Sequence, residues 1–457
     1  MRSIFLHASQ RNARGRRRTG ATEREAVMSA KRKIIGVLLA AMAVLSGCGG
    51  MDQHTDSVEN QKQDGRQEEI TLWTFPVGNW GNLTSVSRLI ASFQREHPEI
   101  HVKVECLTYD DGDEKIREAL QKGSAPDLVF EGPERLVADW GEQGLLADLS
   151  DLWDSETAGK IYENIREACR HRDGAYYEFP VCMTAHCMAV NYDLFREAGA
   201  LAYIDEENHS WTTDNFVKAV DALADYTQKR VGVIYCKNQS GDQGTRALVN
   251  NLYGGKFTDE AHRVYTVDSE ENKRALRLLK NLEGIEFDPN MASADEIAAF
   301  CRGELAMAFC WNASIAITQI VNNSDLDFDV FPMTFPVSDG EPKLQGGIWG
   351  FGVFDNGDKG RIEAAKTFIR FMTENDSVYK RAVLTSSFWP VRDMAEIYEN
   401  DLLMTEYSMF TDEMGDYYQV TPGWSKAREG WWKMLQKIGE GEEIDEAVAE
   451  FSSRLNR

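Results

Sequence analysis

The stretch ITLWTFPVGNWGNLTSVSRLIASFQREHPEIHVKVEC, residues 70–106, decides the fold. Residues 70–75 form a short apolar run stopped by Pro76. Leu83, Val86, Ile90 and Phe93 recur at helical spacing, which predicts an amphipathic helix over 83–96 that ends at His97-Pro98. Ile100, Val102, Val104 and Cys106 alternate, the mark of a half-buried strand. The same order continues outward: a helix over 114–122 closed by Gly123, an apolar strand over 127–130, and a helix over 133–141. A βαβαβα run of this kind predicts an α/β lobe with a largely parallel sheet.

Two strand-like runs follow at 176–181 and 187–192, then a helix over 213–227 and a strand over 231–236. A helix over 295–301 leads through Arg302-Gly303-Glu304 into a strand over 305–310. Strands are expected at 328–331 and 348–354, a helix at 361–373, and helix from Trp389 onward. From Cys48 the chain runs 410 residues, too many for one compact core, so two lobes are expected.

The N-terminus reads differently. Residues 1–47 hold ten Lys/Arg and two acids, while the rest carries 40 basic and 72 acidic residues, a net charge of −32. That acid excess argues against nucleic acid, whose phosphates need clustered Lys/Arg. The apolar run 34–45 follows Lys31-Arg32-Lys33 and precedes Ser46-Gly47-Cys48, the layout of a secretory signal peptide; it is too short to span a membrane. Leu45-Ser46-Gly47-Cys48 resembles a bacterial lipobox, which implies lipidation of Cys48 and an anchor in the membrane. Met28 opens a complete signal peptide by itself, so translation is expected to start there. The polar segment 49–69 cannot bury a core and reads as a tether.

No GxSxG, HExxH, Walker loop or strand-linked GxGxxG is present. The seven cysteines beyond Cys48 lack Cys-x-x-Cys spacing and the histidines are scattered, so neither a metal nor a cofactor is expected. Asp110-Asp111-Gly112-Asp113 reads as a solvated turn. A glycosidase built on two placed carboxylates stays open, because separation in space is not written in the sequence. The positive signal is aromatic. Among 11 Trp, several fall at strand-to-loop junctions: Trp73 with Phe75, Trp80, Trp311, Trp349, Trp389 and Trp424. Open α/β sheets bind ligands at strand carboxyl ends, and an indole face offers a platform for a sugar ring.

Several motifs share one order. They are Ile70-Thr71-Leu72-Trp73, Ala125-Pro126-Asp127-Leu128-Val129 and Gly144-Leu145-Leu146-Ala147-Asp148-Leu149. Phe179-Pro180-Val181, Val190-Asn191-Tyr192-Asp193-Leu194-Phe195, Gly303-Glu304-Leu305-Ala306-Met307 and Ala364-Ala365-Lys366-Thr367-Phe368 follow. Behind a lipobox, these make residues 69–457 resemble the extracellular solute-binding lipoproteins of ABC importers, in the carbohydrate-binding, maltose-binding-protein-like cluster. The resemblance implies a two-lobed periplasmic-binding-protein-like α/β fold, with lobes joined by a multiply crossed hinge. It implies crossings near 180–186, 331–343 and 376–384. One lobe is expected from 70–182 plus 343–378 and the other from 183–342 plus 379–457. It also implies a monomer without catalysis, with a carbohydrate ligand and the transmembrane subunits of an ABC permease as partners. Phe75, Asn79, Glu131, His186, Trp311 and Trp431 are the contacts it implies; Trp80, Trp349 and Trp424 join them as junction aromatics. Glu131 stands where the maltose binders carry Trp, so a sugar is implied rather than maltodextrin. A polyamine or peptide is the alternative solute.

Overall fold

The computed structural model describes residues 68–456 apart from 110, 395 and 396. The expected signal segment, most of the tether and the lipidation position Cys48 lie outside the described residues.

The first sheet grows from the stretch quoted above. Strands β1 (Glu68–Thr74), β2 (Ile100–Cys106) and β3 (Leu128–Glu131) are parallel, with Thr74 opposite both Cys106 and Phe130. The helix Leu83–Glu96 is capped by Asn82, whose side chain accepts from the Ser85 N–H, and it buries Val86, Leu89, Ile90 and Phe93. Asp127 ties this layer together: its carboxylate accepts from the Thr71 N–H at 2.8 Å and from Asn356 Nδ2 at 2.8 Å. Because all three strands run the same way, the loops that follow them collect along one edge.

Three later strands complete that sheet: β4 (Phe179–Ala185), β10 (Gly346–Val353) and β11 (Trp389–Pro390). The order is β11-β4-β10-β3-β1-β2, with β10 antiparallel to β3 and β4, and β11 antiparallel to β4. A second set of strands comprises β5 (Cys187–Asn191), β6 (Gly232–Tyr235), β7 (Ile285–Asp288), β8 (Met307–Trp311) and β9 (Val330–Met333). β5 lies between β8 and β9, all antiparallel, and β6 pairs with β7 in parallel. The Val231 carbonyl accepts from the N–H groups of Ala306 and Met307, joining the two pieces.

The chain passes from the first sheet to the second at His186, between β4 and β5, and returns through 334–345. The third passage differs from expectation. Asp376–Ser386 is a helix whose Tyr379 hydroxyl donates to the Val181 carbonyl of β4, and Trp389–Pro390 pairs with β4. Residues 376–390 therefore belong to the first sheet, and the chain leaves it only beyond Pro390. The expected helix from Trp389 is also displaced, to Leu402–Ser408, Trp424–Glu440 and Ile444–Leu455. β7 and the helices Asp242–Tyr253 and Glu270–Asn281 have no counterpart in the sequence reading. All seven described cysteines are free.

Candidate functional site

The loops after β1, β2 and β3 build one wall of a cleft. β3 ends at Glu131, and Gly132-Pro133 turns the chain into a helix. A side chain at Gly132 would place its Cβ 2.5 Å from Glu134 Oε2 and 2.7 Å from the Ile348 carbonyl, so only glycine permits the turn. The turn delivers Arg135. Its Nε and Nη2 donate to both oxygens of Asp113, at 2.7 and 2.9 Å, and Nη1 donates to Glu131 Oε1 at 3.2 Å. The same guanidinium covers the rings of Phe75, 5.0 Å away, and Tyr109, 5.7 Å away, which stack on each other at 5.3 Å. Phe75 is the buried floor of that stack, and Tyr109, 45% exposed, is its outer face.

Glu131 is 1% exposed and its Oε2 has no hydrogen-bond partner. Burial raises its pKa to about 8, against the pull of Arg135. Glu178, which precedes β4, is 0% exposed, and neither of its carboxylate oxygens has a partner. Burial lifts its carboxyl well above the usual range, and the nearby Glu134 and Glu131 add to the shift.

The opposite wall comes from the helix Asp242–Tyr253 and the start of Trp424–Glu440. Gly241 precedes the first of these in the left-handed region, at φ 68°. Asp242 accepts two bonds from Arg428, Nε at 3.1 Å and Nη2 at 3.0 Å, and pairs with Arg246 one turn along its own helix. Arg246 is fully buried; it also donates to the Tyr418 hydroxyl at 3.2 Å and to Gln419 Oε1 at 3.4 Å, and lies 4.7 Å from the Trp424 ring. Burial opposes ionisation of Asp242, but the two arginines outweigh it and hold the carboxyl low.

Residues 417–419 bridge the walls. The Tyr417 hydroxyl donates to Glu134 Oε2 at 2.8 Å, and Gln419 Nε2 donates to the Gly346 carbonyl of β10 at 3.0 Å. Between the walls lies a cavity of about 290 Å³. Asp113, Glu134, Arg135 and Trp140 line one side, and Gln239, Trp424 and Arg428 the other. That volume is at the lower end for small-molecule sites, roughly 300 Å³ upward.

Of the expected contacts, Trp424 lines this cavity, Phe75 and Glu131 lie just behind its wall, and His186 is buried at the chain crossing. Burial pushes the His186 pKa down to about 4, and Arg246 adds to that. Asn79 is exposed on the turn Gly78–Gly81, and Trp349 is half-buried, stacked 4.8 Å from Phe388; neither lines the cavity.

Three tryptophans are corrected from ligand contacts to core. Trp80 stacks 4.1 Å from Phe130 and donates to the Ala382 carbonyl. Trp311 donates to the Tyr407 hydroxyl at 2.7 Å, and Trp431 to Thr245 Oγ1 at 2.9 Å. All three are 0% exposed with the indole N–H satisfied, so no face or donor is left for a ligand.

Sequence reasoning missed Tyr109, Arg135, Trp140, Arg246 and Arg428. A signal existed for one of them. Arg135 stands four residues after Glu131, across a Gly-Pro turn that directly follows a strand, so a basic residue opens the helix beside the strand's terminal acid.

The fold and cleft define a two-lobed α/β binding protein. The chain belongs to the bacterial extracellular solute-binding protein family, whose family model matches residues 80–379. Its architecture is similar to an ABC transporter solute-binding protein from Thermotoga lettingae solved with α-D-tagatose, at 19% identity and TM-score 0.66, over 85% of this chain and 99% of that one. It is also similar to the cyclic α-maltosyl-1,6-maltose binding protein of Arthrobacter globiformis, at 18% identity and TM-score 0.69, over 85% and 98%. A binding protein of Brucella abortus is 29% identical over 108 residues, 24% of this chain. The match spans only 26% of the length of that curated relative.

Proposed function

We propose that this chain captures a sugar between its two walls, without turnover, and hands it to a membrane permease of an ABC importer. The observation that carries the reading is the cavity: indole rings from both walls, Trp140 and Trp424, beside hydrogen-bonding groups held in place by ion pairs. Rings bind the apolar face of a sugar, and fixed polar groups bind its hydroxyls. Family membership and the sugars named with similar structures support it. The Leu45-Ser46-Gly47-Cys48 tetrad supports a lipid anchor at Cys48 on the outer face of the membrane.

Ligand that touches both walls stabilises the closed arrangement, because only there are both sets of contacts made. A micromolar affinity corresponds to about −8 kcal/mol, within reach of one stacked ring and several hydrogen bonds. Calorimetry and thermal shift with a panel of mono- and oligosaccharides test the reading. Saturable binding of one sugar per chain, without product release, is expected. Binding of polyamines or peptides and of no sugar would replace it, and hydrolysis lost on one carboxylate substitution would make the protein an enzyme.

A further inference from the structure

One turn touches both walls of the cleft. Residues 417–420 form a single turn of 3₁₀ type, in which the Val420 N–H donates to the Tyr417 carbonyl. Side chains three apart eclipse in such a turn, so Tyr417 and Val420 share one face and leave Tyr418 and Gln419 to the other. The first face meets the first wall. The buried Tyr417 hydroxyl donates to Glu134 Oε2 at 2.8 Å, and Val420 packs against the apolar cluster that holds Leu136, Val137 and Trp140. The other face meets the second wall. Tyr418 stacks 5.1 Å from Phe257 and its hydroxyl accepts from Arg246 Nε, while Gln419 Oε1 accepts from Arg246 Nη2. The Tyr265 hydroxyl donates to the Thr421 and Pro422 carbonyls, at 3.2 and 3.0 Å, and fixes the end of the turn to the same side.

The two attachments differ in kind. The second wall holds the turn through the fully buried Arg246, a stacked ring and two backbone carbonyls, groups that stay paired within one side of the cleft. The first wall is reached through a neutral hydroxyl on a carboxylate. Such a bond is strong while water is excluded, and both partners regain water when they part, so it opens without stranding a buried charge. Glu134 also lines the cavity, so the bond reaches the binding space itself.

We propose that Tyr417 is a positioning residue for capture: its hydroxyl fixes Glu134 at the cavity and clasps the first wall to the second, so that a bound sugar leaves only after this bond parts. This rests on the sugar reading above and adds to it a residue that acts on the sugar through Glu134. No covalent bond is made or broken.

Hydrogen exchange on the purified protein tests the clasp without any sugar, because exchange in the facing segments follows the population in which the walls are apart. Tyr417→Phe keeps the ring and removes only the hydroxyl. Protection over residues 132–141 and 417–424 is expected to fall about tenfold, with β1 and β6 unchanged. A merely weakened fold would lower protection in those two strands as well. Tyr226→Phe, which loses an exposed hydroxyl bond to Glu197, is expected to leave both segments as they are. Glu134→Ala should match Tyr417→Phe, and the double variant should fall no further, because each substitution removes the same bond. In stopped-flow binding of glucose, galactose and maltose, Tyr417→Phe is expected to raise the dissociation rate about tenfold and to keep the association rate within about twofold. Unchanged protection, fully additive losses in the double variant, or an unchanged dissociation rate for a sugar that binds overturns the clasp. Absence of binding across the whole sugar panel overturns the sugar reading instead, and the exchange result then decides the clasp by itself.

Discussion

The two walls of the cleft carry similar side chains in opposite states. In the second wall every charge is matched: Asp242 lies between Arg246 and Arg428, and Tyr418 and Gln419 take further guanidinium bonds. In the first wall Arg135 serves Asp113 and Glu131, yet carboxylate oxygens of Glu131 and Glu178 are left over. A wall whose charges are matched is a scaffold, since those charges are spent on one another. A wall with unspent polar atoms keeps its capacity for something that arrives from outside. The difference assigns structural work to Asp242–Arg246 and recognition work to the turn that carries Glu131, Glu134 and Arg135.

Breaking the scaffold wall gives the largest expected effects. Arg246→Ala leaves buried Asp242, Tyr418 and Gln419 without their shared partner and is expected to cost about 3–5 kcal/mol in denaturant unfolding. Trp311→Ala, in the core behind that wall, is expected to cost a similar ~3–5 kcal/mol, through lost packing rather than lost ligand contact. Protein that still folds should bind ligand with nearly unchanged affinity; a large specific loss of affinity would return Trp311 to the site.

Breaking the recognition wall should change binding more than folding. Arg135→Ala frees Asp113 and Glu131 and removes the guanidinium over Phe75 and Tyr109. Ligand affinity is expected to fall by about tenfold to a hundredfold in calorimetry, as for loss of a charged hydrogen-bonding group. Tyr109→Ala removes the exposed face of the stack, with an expected loss of ~1 kcal/mol in binding and little change in unfolding.

A separate expected effect is in the pH profile. Glu131 has a folded pKa of about 8, raised above the ordinary 4.5. The folded state therefore holds its proton more tightly than the unfolded chain. The contribution to stability is complete below about pH 4.5 and is lost as pH rises through about 8. His186 acts in the opposite sense. Its folded pKa of about 4 lies below the ordinary 6.5, so it destabilises as pH falls through that window. Glu131→Gln should flatten the decline toward pH 8 and leave the acid side unchanged, read as unfolding midpoints across pH.

The same contrast explains what the sequence made legible. β1, β2 and the helix Leu83–Glu96 were readable because each has one buried face, which writes a period of two or 3.6 into the chain, and β3 as a short, fully buried apolar run. The helix Asp242–Tyr253 was not. It is covered nearly all round, from Asp242 through Leu252, and its polar residues are buried with the apolar ones, so burial does not separate the two kinds. Trp80 and Trp311 read as strand-end residues and Trp431 as an aromatic contact; in the structure all three are core residues. Whether an indole at such a place faces a ligand or another ring depends on Phe130, Phe300 and Phe257, which come from distant parts of the chain. Pairing of Asp242 with Arg428 across 186 residues is equally invisible before the fold exists.

The account stands most directly on one titration: a sugar panel measured by calorimetry on the native protein and on Arg135→Ala. It predicts saturable binding of one sugar per chain, weakened at least about tenfold by the substitution in protein that remains folded. Sugar binding unaffected by Arg135→Ala would contradict the assignment of this cleft, and no binding of any sugar would contradict the function.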